Sequence, residues 1–203
     1  GRMVDELTRR QLYDDTMLMI TADHGEEFYE HEDWEHGTTL HHEVLSVPLI
    51  VKFPAEDYIE TGRSGVRTQL VDIAPTALTA AGLDRPDQYV GLDLYRAVAG
   101  EVTEEREAYS HMGLSNKGEA ITTDGWKFIR YHHKKGPLHR RLYDRQTDLG
   151  ELTNVFPKHR QEAESLDALL QTHVDLQVPP GDASQITIDG DLRERLKALG
   201  YVE

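Results

Sequence analysis

Cysteine is absent from the 203 residues, so the chain holds no disulfide, no thiolate metal site and no cysteine nucleophile. Long apolar runs are missing as well. Met17–Ile20 and Val44–Val51 fall far short of the roughly 20 residues that a membrane helix needs, which excludes helical membrane insertion. Positive charge is scarce: 22 Lys and Arg stand against 37 Asp and Glu, a net charge of −15 with histidine neutral. Even full protonation of the 11 histidines would leave −4, which excludes general attraction to nucleic acid or an anionic membrane by bulk charge. Hydrophobic residues make up 38% and charged ones 29%, which is the balance of a folded domain and not of a disordered tail.

Periodicity divides the chain into two textures. Val4, Leu7 and Leu12, separated by charges, form one face of a helix that opens without a capping residue. Thr16–Thr21 and Leu49–Phe53 read as short apolar strands, buried on both faces, of a parallel sheet. A helix around Thr39–Ser46, stopped by Pro48, lies between them and gives a βαβ unit. Two strands cannot by themselves make a stable doubly wound sheet, so the chain is expected to be the C-terminal piece of a larger α/β protein. Val71–Ala81 reads as a helix with Asp72 as cap and Gly82 as stop. From about residue 105 the segments Glu119–Thr123 and Trp126–Tyr131, joined by Asp124-Gly125, predict an antiparallel hairpin. His159–Val174 reads as a helix, Val178–Asp182 as a linker and Leu192–Leu199 as a closing helix. The expected domains are 1–104, the end of an α/β catalytic domain, and 105–203, a small antiparallel subdomain with terminal helices.

Chemistry concentrates in Thr21–Gly37. Asp23 and His24 follow an apolar strand, and the carboxyl ends of such strands are where open α/β sheets bind ligands. One carboxylate oxygen and one imidazole nitrogen together suit a divalent cation, and Gly25 lets the backbone turn away behind them. Read without context, the pair is equally a turn residue beside a surface imidazole, and the acidic run after it a solvated face.

Asp23-His24-Gly25-Glu26-Glu27-Phe28, Glu30-His31, His36-Gly37 and Glu43–Val51 resemble, in that order, the sulfatase family of the alkaline-phosphatase-like superfamily. Leu70–Thr76 is similar to the family's LVDLAPT helix, and Gly91–Leu94 to its G-x-S/D-L turn. Trp126–Ile129 resembles W-K-Y-I, and Leu142–Asp144 with Asp148–Asn154 resembles LYDL-x-x-DPGE-x-x-N. The ordered set covers nearly the whole chain. It implies an α/β fold: the C-terminal part of an alkaline-phosphatase-like parallel sheet, plus a small antiparallel sheet and helix subdomain.

The resemblance further implies hydrolysis of a small-molecule or carbohydrate sulfate ester with a divalent metal, usually calcium, with manganese or magnesium as alternatives. Asp23 and His24 match the family's metal ligands. His36 stands where many members have a Lys that contacts the sulfate or the bridging oxygen, so it is the expected catalytic and substrate-binding residue. As a titratable group it can stabilise or protonate the leaving oxygen; bonded to a neighbour such as Glu35 it would be an ordinary loop histidine. His31, whose flanking glycines in the family are Tyr29 and Glu32 here, is expected to be structural. His41 and His42 are expected to pack, and His111 to face the pocket. His132, His133 and His139 belong to a basic stretch, Lys127–Arg145, read as a solvated strand edge, and Trp126 is expected in the core. The family's nucleophile is a formylglycine made from Cys or Ser in C/S-x-P-x-R. No serine of this sequence lies in that motif, so the nucleophile is expected upstream and the isolated chain is expected not to turn over. Two competing readings are a phosphate or phosphonate ester hydrolase of the same superfamily and a non-catalytic metal-binding module.

Overall fold

The structure, a computed structural model, describes residues 1–112, 117–132, 138–176 and Gly190. The expected linker Val178–Asp182, the closing helix Leu192–Leu199 and His133 lie outside the described residues. A compact unit covers Gly1–Gln171, and a second unit begins at Thr172.

Helix α1, Arg2–Arg9, is followed by strand β1, Leu18–Thr21. Two short strands, β2 (Glu27–Phe28) and β3 (Trp34–Glu35), pair as a hairpin. Helix α2 is a single turn, His42–Leu45, and β4 spans Leu49–Lys52. The expected βαβ unit does not form, because β4 pairs with β1 antiparallel, Leu18 facing Lys52 and Thr21 facing Leu49. An antiparallel partner needs no crossover helix, which is why the connection is a hairpin and one turn of helix. Nor are both faces of the pair buried: the cross-strand partners Ile20 and Ile50 are exposed. Lys52 locks the approach to β1, its Nζ donating to the carbonyls of Tyr13, Asp14 and Thr16 at 2.5, 2.8 and 3.0 Å.

Helix α3, Ile73–Ala80, ends at Gly82, which adopts φ +65° as a left-handed stop. Asp72 does not cap α3 with its side chain. It is fully buried and accepts from the Gln69 and Leu92 N–H groups and from both Nη atoms of Arg106 at 3.0 Å. Thr76 continues the network, donating to the Asp72 carbonyl and accepting from Leu94 N–H at the start of α4, Leu94–Val98, which Asp93 caps. The motifs Leu70–Thr76 and Gly91–Leu94 are therefore two halves of one polar joint. Asp72→Asn would leave the partly buried Arg106 guanidinium without its anion, and is expected to cost about 3 kcal/mol, read as a lower urea midpoint.

Strands β5 (Ala108–Met112), β6 (Lys117–Thr122), β7 (Trp126–His132) and β8 (His139–Asp144) form an antiparallel sheet in that order. The turn at Asp124-Gly125 closes as expected, Thr123 N–H donating to the Trp126 carbonyl at 2.8 Å. Successive residues alternate between faces. Ile121, Phe128 and Leu142 pack on Ala163, Leu166 and Leu170 of helix α5, Arg160–Asp175, with Trp126 partly buried against them. Ala120, Ile129 and Tyr143 take the other face and pack against Leu40. Leu40 belongs to the loop after β3, so this sheet is the floor on which the Thr21–Gly37 region rests.

Candidate active site

Asp23 and His24 lie just past the end of β1, where Gly25 brings the backbone against α2. Gly25 N–H donates to the Val44 carbonyl at 2.7 Å, and a Cβ on Gly25 would sit 1.9 Å from the Glu43 carbonyl oxygen. Close approach, and not a left-handed turn, is what requires glycine here. The Asp23 side chain is 71% exposed and that of His24 32%. His24 Nδ1 lies 2.8 Å from the Gly25 carbonyl oxygen. A carbonyl only accepts, so Nδ1 carries a proton; in the neutral ring Nε2, 3.8 Å from Asp23 Oδ1, then offers its lone pair. This carbonyl-fixed tautomer is how metal-ligating histidines are held, so the donor pair fits a divalent cation. The imidazole of His36 stacks on that of His24, centroids 3.9 Å apart at 26°. The partner of His36 is Glu26, not Glu35: Nδ1 donates to Glu26 Oε1 at 3.3 Å. Asp23 and His24 line a cavity of about 460 Å³ with Ser46, Gln69, Tyr109 and Arg145, and His36 stands outside its lining.

The β2–β3 hairpin that carries the chain from His24 to His36 is pinned by Glu27, which is fully buried. Its Oε1 accepts from His31 and Asp33 N–H, both at 3.1 Å, and its Oε2 from the Thr39 hydroxyl at 2.9 Å. Three non-glycine residues take positive φ around it, Tyr29 at 80°, Glu32 at 68° and Glu35 at 71°. Such backbone persists only when surrounding bonds over-determine it, and the Glu27 carboxylate supplies them.

Behind the hairpin lies a buried ionic hub. His31 donates from Nδ1 to Glu43 Oε1 at 2.5 Å and from Nε2 to the Glu151 carbonyl at 3.0 Å. Both ring nitrogens donate, so His31 is an imidazolium. Burial pulls its pKa down, but the Glu151 carbonyl and the Glu43 carboxylate outweigh that and hold it above the usual value. His31, Glu27 and Glu43 offer three ligand atoms within 4.8 Å of one another, and here all three side chains are engaged with one another, with backbone groups or with Thr39. His41 stacks on His31 at 3.7 Å and is neutral, donating from Nδ1 to Glu151 and accepting at Nε2 from Arg141. Burial is the largest cause of its lowered pKa, against the pull of Glu151. Lys127 is 2% exposed and donates to both Glu151 oxygens at 2.9 Å. Burial lowers its pKa, whereas the bonds from His41 and Lys127 overcome burial and hold the Glu151 carboxyl low.

The two histidines respond oppositely to pH. The raised pKa of His31 contributes stability that is complete below its unfolded value of about 6.5 and is lost as pH rises through its folded value. His41 resists the proton that the unfolded chain takes up below about pH 6.5, so its contribution falls as pH drops. The stability deficit of His31→Gln relative to the parent is expected to shrink between about pH 6.5 and pH 9, measured as urea midpoints across that range.

The Lys127–Arg145 stretch is thus not a solvated edge throughout, because Lys127, Phe128, Ile129 and Leu142 within it are buried. Arg130 pairs with Glu119 and Asp167, and His132 with Glu119. His42 is exposed, and His111 is exposed on β5 and absent from the cavity lining. The hub escaped motif reading. The available signal was the period-two alternation of β7, which puts Lys127 on the face of Ile129 and Tyr131, toward the Leu40 loop.

An antiparallel sheet backed by one helix and set under the Thr21–Gly37 region gives the chain an α/β architecture that known proteins share. A protein solved in complex with its substrate D-glucosamine-2-N,6-O-disulfate superposes with a TM-score of 0.71 at 24% identity, over 86% of this chain and 37% of that one. The family described as N-sulphoglucosamine sulphohydrolase, C-terminal, matches residues 30–177, and the chain belongs to it. Arylsulfatase K of Bos taurus is 26% identical, with 85% of this chain and 33% of that protein covered. Delta 4,5-hexuronate-2-O-sulfatase of Bacteroides thetaiotaomicron is also 26% identical, with 92% and 40% covered. The chain therefore spans between a third and two fifths of the length of these sulfatases, and the sulfatase resemblance read from its motifs holds.

Proposed function

We propose that the chain is the C-terminal segment of a metal-dependent sulfatase acting on a sulfated carbohydrate. Asp23 and His24 hold the divalent cation, taken to be calcium, and His36 stands at the ester's leaving oxygen. The observation that carries this reading is the His24 geometry: Nδ1 is occupied by the hydrogen bond to the Gly25 carbonyl, and Nε2 is turned toward Asp23 as the second donor for a cation. Charge supports it too. Between Arg10 and Lys52 the sequence has ten Asp and Glu and no Lys or Arg, so a sulfate brought here has no permanent side-chain cation from this stretch to meet. A bound divalent cation would add its positive charge to that of Arg67 and Arg145, which line the same cavity from outside this stretch. His36, oriented by Glu26 through Nδ1, presents Nε2 for donation to the departing alcohol. The nucleophile is assigned to a formylglycine outside these residues, and the substrate class follows the sulfated sugars named for the relatives.

Calorimetric titration of the 203-residue chain with calcium is expected to show weak binding, since a partial ligand set binds weakly, and to lose it in Asp23→Ala and in His24→Ala. Binding unchanged in both variants overturns the site. For the complete protein, a chelator is expected to abolish hydrolysis of aryl sulfate and added calcium to restore it; faster turnover of aryl phosphate than of aryl sulfate would move the assignment to the phosphate ester reading.

A further inference from the structure

The β2–β3 hairpin carries an aromatic face that neither the fold nor the proposed chemistry uses. Phe28, Tyr29 and Trp34 are 65, 58 and 59% exposed. Phe28 and Trp34 are direct cross-strand partners, so both rings project from one face, and the Tyr29 ring lies 5.8 Å from that of Trp34. The segment is held rigid: Tyr29 N–H donates to the Asp33 carbonyl at 3.0 Å, Phe28 N–H to Glu30 at 2.5 Å, and the buried Glu27 fixes the turn from beneath. Exposed aromatics on a preorganised backbone mark a binding surface. Trp34 stands two residues before His36, which keeps their backbones within about 7 Å of each other.

The surroundings define the occupant. Glu32 and Glu35 are exposed on the same hairpin, and the backbone N–H of Trp34 with the Thr38 hydroxyl hold the Asp33 carboxyl below its usual range. No Lys or Arg lies on the hairpin itself, the nearest in sequence being Arg10 and Lys52, so its exposed carboxylates disfavour a polyanion at the rings. Carboxylates accept hydroxyl donors, two per group in good geometry, and flat apolar rings cover the C–H face of a pyranose. Exposed rings fringed by carboxylates of the same hairpin suit a neutral, hydroxyl-rich sugar.

We propose that Phe28, Tyr29 and Trp34, fringed by Glu32 and Glu35, form a platform for an uncharged sugar ring, so that the substrate is a sulfate ester of an otherwise neutral saccharide and not a polysulfated or uronate-rich chain. This rests on the sulfated-carbohydrate reading above and narrows it.

The two tryptophans of the chain provide the test, because Trp34 is exposed and Trp126 packs against the core. Indole N–H resonances of the 203-residue chain are followed while cellobiose, lactose or N,N′-diacetylchitobiose is added, and separately a fully sulfated heparin disaccharide at matched ionic strength. At least one neutral disaccharide is expected to move the Trp34 resonance saturably while Trp126 stays in place, and the sulfated one is expected to leave Trp34 unmoved. Phe28→Ala is expected to abolish the Trp34 response, and Glu32→Gln/Glu35→Gln to admit the sulfated disaccharide. No response to any neutral disaccharide overturns the proposal, as does an equal response to the sulfated one. Failure here leaves the sulfatase reading standing, because calcium titration and ester turnover judge that reading without reference to these rings.

Discussion

Glu151→Gln is expected to destabilise the folded chain by about 3–5 kcal/mol, the usual cost of breaking a buried ion pair from one side. The substitution leaves Lys127, 2% exposed, with a buried charge and no anion. It also weakens the acceptor for His41 Nδ1 and for His42 N–H. For a chain of this size the loss corresponds to a fall in Tm on the order of 10 °C, measured by circular dichroism. Lys127→Met alone is expected to cost a similar amount. The double variant Glu151→Met/Lys127→Met is expected to cost less than the sum of the two single losses, since no buried charge is left unpaired, while the missing acceptor for His41 and His42 keeps it below the parent. Losses that simply add would show that the two side chains do not act as a pair. The consequence reaches the proposed site, because Glu151 accepts from His31, on the hairpin that leads to His36, and from His41 in the loop after it.

His36→Ala in the complete enzyme is expected to lower kcat about 10²–10⁴-fold toward an alkyl or sugar sulfate, the range for loss of a general acid. Toward a nitrophenyl sulfate, whose leaving oxygen needs no proton, the same variant is expected to lose far less. That contrast separates proton donation from mere packing. An equal loss on both esters would assign His36 to sulfate binding or to support of the His24 ring, on which it stacks at 3.9 Å. Glu26→Gln, which keeps the shape of the Nδ1 partner but removes its charge, is expected to give a smaller loss of the same substrate pattern.

Local sequence by itself determined much of this protein. Helices α1, α3 and α5 and the Asp124-Gly125 hairpin follow from periodicity and turn chemistry that act within a few residues. The ordered motifs pointed to the sulfatases, a family the chain belongs to, and that resemblance, more than the residues alone, singled out Asp23, His24 and His36 as the residues to test. Tertiary structure decided what depends on partners distant in the chain. The antiparallel pairing of β1 with β4 could not be read, since an apolar run carries no mark of its neighbour's direction. Nor could the roles of Asp72, which looks like a helix cap but serves Arg106, or of Lys127, which looks like part of a solvated edge but is buried against Glu151. A charged side chain is tolerated inside only where another element, here 24 residues on in the chain, brings the opposite charge to it. Which histidine is the cation and which is neutral was likewise settled by the fold, because protonation follows from the atoms that surround each nitrogen in space.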